Sequence, residues 1–72
     1  MFVSNKLFMN RIKIILEAKG IKQTWLADRL GKSFNTINGY VQNRKQPSLQ
    51  SLYMIAELLD VEVNELLIER KK

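Results

Sequence analysis

Cysteine and histidine are both absent from this chain of 72 residues. Their absence removes disulfide staples, thiolate nucleophiles and the usual zinc ligands together. The acids lie mostly in the C-terminal part, so no nucleophile–base pair or metal cluster is visible. An enzyme is not expected, and no cofactor is implied. No apolar run approaches the roughly 18 residues a membrane span needs. The opening MFVSNKLFMN has apolar positions but lacks the long apolar stretch and cleavage site of a signal peptide. A cytoplasmic location is expected, and the lack of cysteine agrees with it. Proline occurs once, at Pro47, and glycine only at Gly20, Gly31 and Gly39. Repeats, low-complexity tracts, linkers and strand series with hairpin signals are missing as well. A single domain is expected, with a modest core and no room for a separate ligand-sensing unit.

Charge is plentiful and unevenly placed. Lysine and arginine total 12 against 7 acids, a formal net charge of +5. Residues 1–45 hold nine of the cations and two acids (+7), whereas residues 46–72 hold three cations and five acids (−2). A chain polarised in this way should turn its N-terminal part toward a polyanion.

Apolar spacing predicts five helices. The first runs from near residue 6 to 19, with Phe8, Ile12, Ile15 and Leu16 inward, and stops at Gly20. The second spans 23–30, with Leu26, Ala27 and Leu30 inward. Lys22 is a poor cap for it, and Thr24 is an alternative cap for a shorter helix. The third opens at Ser33 and runs to about 42. It buries Ile37, Tyr40 and Val41 and leaves Phe34, Asn35, Asn38, Gly39 and Gln42 outward. Asn43 then takes a left-handed conformation. Ser48 caps the fourth, whose stripe is Leu49, Leu52, Ile55, Ala56 and Leu59. The fifth occupies 63–69, with Val63, Leu66 and Leu67 apolar, before a frayed tail.

Gly31 suits the left-handed residue that ends a helix, and Ser33 can accept from an orphan N–H of the next. A helix, a turn of about three residues and a second helix is the plan of the helix-turn-helix, whose second helix enters the DNA major groove.

Over residues 10–67 the chain resembles the phage-repressor/Cro-type helix-turn-helix regulators, often called the XRE family. The residues that carry the resemblance are Gly20-Ile21, Gln23, Leu26-Ala27, Leu30-Gly31, Ser33, Thr36-Ile37, Pro47-Ser48-Leu49, Leu52, Ile55-Ala56, Leu59, Val61 and Glu65-Leu66. The resemblance implies a compact, all-α, five-helix lambda-repressor-like domain over 1–72, with its core at 6–69 and its helix-turn-helix at 23–42. It also implies sequence-specific binding of double-stranded DNA, commonly as a dimer on a two-fold operator.

Some positions depart from the family pattern. Aliphatic Leu16 and Val41 replace an arginine–glutamate pair and are expected to touch; such a swap can be neutral or stabilising. Lys32 replaces an apolar turn residue, so its stem should cover the core. Asn43 replaces a glycine. Glu62 replaces a serine or threonine cap, which predicts a loose start to the fifth helix.

Phosphate contacts anchor such a domain and base contacts specify its site. The resemblance assigns Gln23, Ser33, Gln42, Asn43, Arg44 and Lys45 to phosphate, and Lys32 can reach it too. Gln23 and Ser33 have the simpler alternative of capping helices, which is compatible with meeting phosphate. Base reading falls to Phe34, Asn35, Thr36 and Asn38, because asparagine pairs with adenine N6/N7 and phenylalanine packs on a thymine methyl. Phe34 tucked against the second helix, and Asn38 merely solvated, are the alternatives. Gly39 stands where many members carry a long base-reading side chain; it either permits close backbone approach or touches nothing.

Transcriptional regulation, by repression rather than activation, is the function expected. The domain would be cytoplasmic and nucleoid-associated when bound to DNA. The alternative is an antitoxin that binds its operator and a toxin protein, with Trp25, the segment 2–8 and the fifth helix as candidate faces. Trp25 is either a partly covered surface residue, a seat for Phe2 and Val3, or part of a subunit contact. A homodimer through the fifth helix or the N-terminal segment is expected.

Overall fold

A computed structural model describes residues 8–69. Strand β1 (Phe8–Asn10) leads into four helices: α1 (Ile12–Lys19), α2 (Gln23–Leu30), α3 (Phe34–Val41) and α4 (Leu49–Leu59). A 3-10 turn (Val63–Leu66) and strand β2 (Leu67–Glu69) follow. β1 and β2 pair antiparallel, with Phe8 opposite Glu69 and Asn10 opposite Leu67.

The helix boundaries follow from local chemistry. Gly20 and Gly31 both sit at φ +68°, a left-handed conformation that costs glycine least. The residue after each then bonds back into its helix: Ile21 N–H donates to Leu16 O at 2.9 Å and Lys32 N–H to Ala27 O at 3.0 Å. Asp60 ends α4 in the same way at φ 60°, and Asn43 takes φ 60° after α3, as expected. Ser33 and Ser48 cap α3 and α4 as predicted. Each hydroxyl accepts from a backbone N–H three residues on, of Thr36 and of Ser51, at 3.1 Å. α2 begins at Gln23 without a side-chain cap.

α2 packs against both α3 and α4, and their inward faces make one cluster. Ile12, Leu26, Ile37, Ile55, Leu59 and Leu66 are its essentially waterless centre. Burying each such side chain is worth about 1.5–3 kcal/mol. Leu16 and Val41 are both buried in this cluster and line the same cleft. The aliphatic pair therefore occupies one region of the core.

Four expectations are corrected. There are four α-helices among the described residues, not five. The segment expected as a fifth helix over 63–69 makes one 3-10 turn and then a strand. The start of the first helix is likewise a strand, so α1 begins at Ile12 rather than near 6. These two departures have one cause: each segment satisfies the other's backbone across the ribbon, and Arg11 N–H donates to Leu66 O at 2.8 Å. Leu49, expected in the α4 stripe, is 67% exposed, because the first turn of α4 overhangs the core. Glu62 does not leave the next turn loose. It forms a capping box with Glu65, whose carboxylate accepts from Glu62 N–H at 2.9 Å. No helix among the described residues is long and apolar enough to cross a membrane.

Candidate nucleic-acid interface

The turn Gly31–Ser33 delivers α3 with its first residues outward. Phe34 is 48% exposed, Asn35 is exposed and Thr36 is half-buried. Phe34 also borders the cleft lined by Leu16, Ile21 and Val41. The Ser33 hydroxyl donates to Thr36 Oγ1 at 3.0 Å, which holds the threonine at the helix mouth. Lys32 is half-buried and Gln42 exposed.

Asn38 is more than a solvated residue. Its Nδ2 donates to Gln23 Oε1 at 3.1 Å, and its Oδ1 accepts from Arg44 Nη2 at 3.2 Å. The start of α2, the middle of α3 and the basic loop are thereby tied in a line. Each amide keeps hydrogen-bonding capacity for a ligand, since a carboxamide offers two donors and two lone pairs.

The loop after α3 folds back over the helix. Arg44 and Lys45 N–H both donate to Gly39 O, at 2.9 and 3.3 Å. Gly39 is consequently buried, not outward as expected; the aliphatic stem of Lys45 lies across it. Asn35, Thr36, Gly39, Arg44 and Lys45 line one open hollow. Polar α3 residues and loop cations thus share a surface, while Glu57, Asp60, Glu62 and Glu65 gather around another hollow beyond α4.

Asn43, assigned to phosphate, has its side chain committed to the fold. Its Oδ1 accepts from Asn10 N–H at 2.9 Å and from Gln46 Nε2 at 3.0 Å, and its Nδ2 donates to Asn10 O at 3.2 Å. Asn10, only 3% exposed, completes the clasp. Its Nδ2 donates to Tyr40 O at 2.9 Å and Gln46 Oε1 at 2.8 Å, and its Oδ1 accepts from Ile12 N–H at 3.0 Å. Sequence reasoning missed Asn10 and Gln46. The only trace was a short amide immediately ahead of an apolar stripe.

Trp25 is 36% exposed, and the guanidinium carbon of Arg29 stands 4.9 Å from its ring centroid, a cation–π stack one helical turn apart. The suggested packing of Phe2 and Val3 on it lies outside the described residues. So does the N-terminal part of the expected dimer contact, and the other expected contact, a fifth helix, does not form.

A family model described as helix-turn-helix matches residues 12–66. The HTH-type transcriptional regulator AnsR of Bacillus subtilis (strain 168) is 33% identical over 64 residues, which are 89% of this chain and 55% of AnsR. The chain thus spans about half the length of that curated relative. A solved structure of a candidate DNA-binding protein from Bacteroides fragilis is 44% identical and superposes with a TM-score of 0.84, covering 85% of this chain and 98% of that one. The match runs from α1 through the 3-10 turn, and with these relatives it establishes that the chain belongs to the XRE-type helix-turn-helix family of DNA-binding regulators.

Proposed function

We infer that this domain binds double-stranded DNA sequence-specifically by laying α3 in the major groove. The observation that carries this reading is the shared hollow of Asn35, Thr36, Arg44 and Lys45, where hydrogen-bonding groups for base edges adjoin cationic side chains. Phe34, Asn35, Thr36 and Asn38 face the bases. Gln23, Lys32, Ser33, Gln42 and Arg44 meet phosphate, aided by exposed N–H groups at the starts of α2 and α3. For Asn43 the contribution is indirect: it holds the loop that carries Arg44. The domain acts as a homodimer on a two-fold operator in the cytoplasm, with half-sites about one helical turn apart, roughly 34–36 Å. Repression is the regulatory outcome, since occluding a site needs only the binding itself.

Binding measured across salt concentrations and across a set of site variants tests this. Arg44→Ala should weaken all duplexes about evenly and reduce the salt slope by about 1. Asn35→Ala should instead relax preference at one operator position, by roughly 1–3 kcal/mol. Random DNA bound without salt dependence, or an Asn35→Ala protein that loses every site equally, would overturn the assignment.

A further inference from the structure

The two cations of the basic loop do not point to the same work. Arg44 is drawn by Asn38 toward the start of α2, where Gln23 sits. Both border the hollow beside Asn35 and Thr36, but it is Lys45 that crosses Gly39. Its Cγ and Cδ lie 3.4 Å from where a Cβ on Gly39 would stand, so its stem fills the place of the missing side chain. Gly39 and Asn35 are four residues apart and therefore share one ridge of α3. Lys45 is exposed, and it lines the same hollow as Asn35 and Thr36, about 280 Å³ in volume. A side chain from the loop thus substitutes, on the groove-facing ridge, for one the helix lacks.

We propose that Lys45 reads a guanine in the major groove, reaching it across Gly39, and is not a phosphate anchor. This deepens the DNA-binding reading above and rests on it. The chemistry selects the base. An ammonium is a donor only. Guanine alone presents two acceptors and no donor at its major-groove edge, N7 and O6, and lysine pairs with both. Adenine offers N7 beside an amino group that repels a cation's protons, and cytosine offers a donor. Asn35, the neighbour on the ridge, suits adenine. The pair of side chains would therefore read adjacent base pairs of different kinds. Gly39 is the permissive element: a long side chain there would occupy the path of the lysine stem. Its own backbone is ordinary helix, so the position accepts other residues.

The test uses duplexes selected by the full chain from random DNA, with every position of the selected site varied singly. The wild type should discriminate about tenfold or more in favour of one G·C pair in each half-site. Lys45→Met keeps an apolar stem and loses the ammonium, so discrimination there should fall to about twofold or less, with other positions unchanged. Gly39→Gln should displace Lys45 and move the preference at that same pair toward A·T, because glutamine pairs with adenine N6/N7. Circular dichroism confirms that both variants fold, and if Gly39→Gln does not, Lys45→Met decides alone. Uniform weakening by Lys45→Met with the ranking kept would make Lys45 a phosphate contact and overturn the proposal, as would guanine preference undiminished in folded Gly39→Gln. Failure of the wild type to select any site would instead overturn the DNA-reading assignment itself.

Discussion

Leu66→Ala is expected to lower the thermal midpoint by about 8–40 °C. Leu66 is fully buried, and truncating such a leucine costs about 2–5 kcal/mol through lost transfer energy and the cavity left behind. A domain of this size has only roughly 4–11 kcal/mol of stability in total. The site has little freedom to collapse into the gap. Its backbone is pinned by the bond from Arg11 N–H, and the capping box fixes the turn before it. Leu49→Ala is the matched control. Both leucines belong to apolar patterns in the sequence, but Leu49 is 67% exposed, and its truncation should move stability by no more than about 0.5 kcal/mol. Melting curves followed by circular dichroism compare them. Equal shifts for the two variants would mean that the segment after α4 does not dock as described.

Asn10→Ala ranks second, with an expected loss of about 2–3 kcal/mol. The side chain is buried and makes three hydrogen bonds, to Ile12 N–H, Tyr40 O and Gln46 Oε1. Tyr40 O keeps the N–H of Asn43, and half-buried Gln46 can turn to water, so the main uncompensated loss is the acceptor for Ile12 at the head of α1. The effect on DNA should be the smaller one. The Asn10 side chain bonds Tyr40 O and Gln46 on either side of Arg44 and Lys45, but the bonds to Asn43 come from the Asn10 backbone and survive the substitution, as does the bond from Gln46 to Asn43. The partner position separates backbone from side chain. Asn43→Gly removes the clasp but accepts φ +60° freely; Asn43→Ala removes it and adds roughly 1–2 kcal/mol of left-handed strain. Chemical denaturation together with binding to the selected duplex checks both. Affinity unchanged in folded Asn43→Gly would separate the clasp from the loop's function.

The features legible in the sequence were those decided locally. Ser33 and Ser48 cap because a hydroxyl meets an N–H three residues on, and Gly20 and Gly31 end helices because they lack a Cβ. The buried apolar side chains of α1 to α3 followed from period, although buried Gly39 did not. The ribbon was not legible. Strands of three residues carry too little alternation to register, and each is stabilised by a segment at the far end of the chain. Read alone, 63–69 looks like a helix because nothing nearby offers the alternative. Leu49 failed for a related reason: periodicity gives the face of a helix, not where along its length the core stops. At the candidate interface, the exposure of Phe34 and Asn35 followed from the period of the helix, but the connections among the polar residues were not legible. Asn38 tied to Gln23, Asn43 turned inward and Lys45 laid over Gly39 each depend on how the loop returns. A glycine in a sequence reads as an absence, whereas in the fold it marks where another side chain passes.

The closure of the ribbon also bears on the order of folding. α1 to α4 meet mostly near neighbours in the chain, and such contacts form early. Joining β1 to β2 requires the two ends of the described chain to find each other, and the entropy of that loop must be lost before the pairing gives anything back. The strands and the Asn10 clasp should therefore be late to form and quick to reopen. Amides of Met9 and Ile68 would exchange with solvent well before those of Ile37 or Ile55. Substitutions in the ribbon would accelerate unfolding and leave the refolding rate almost untouched.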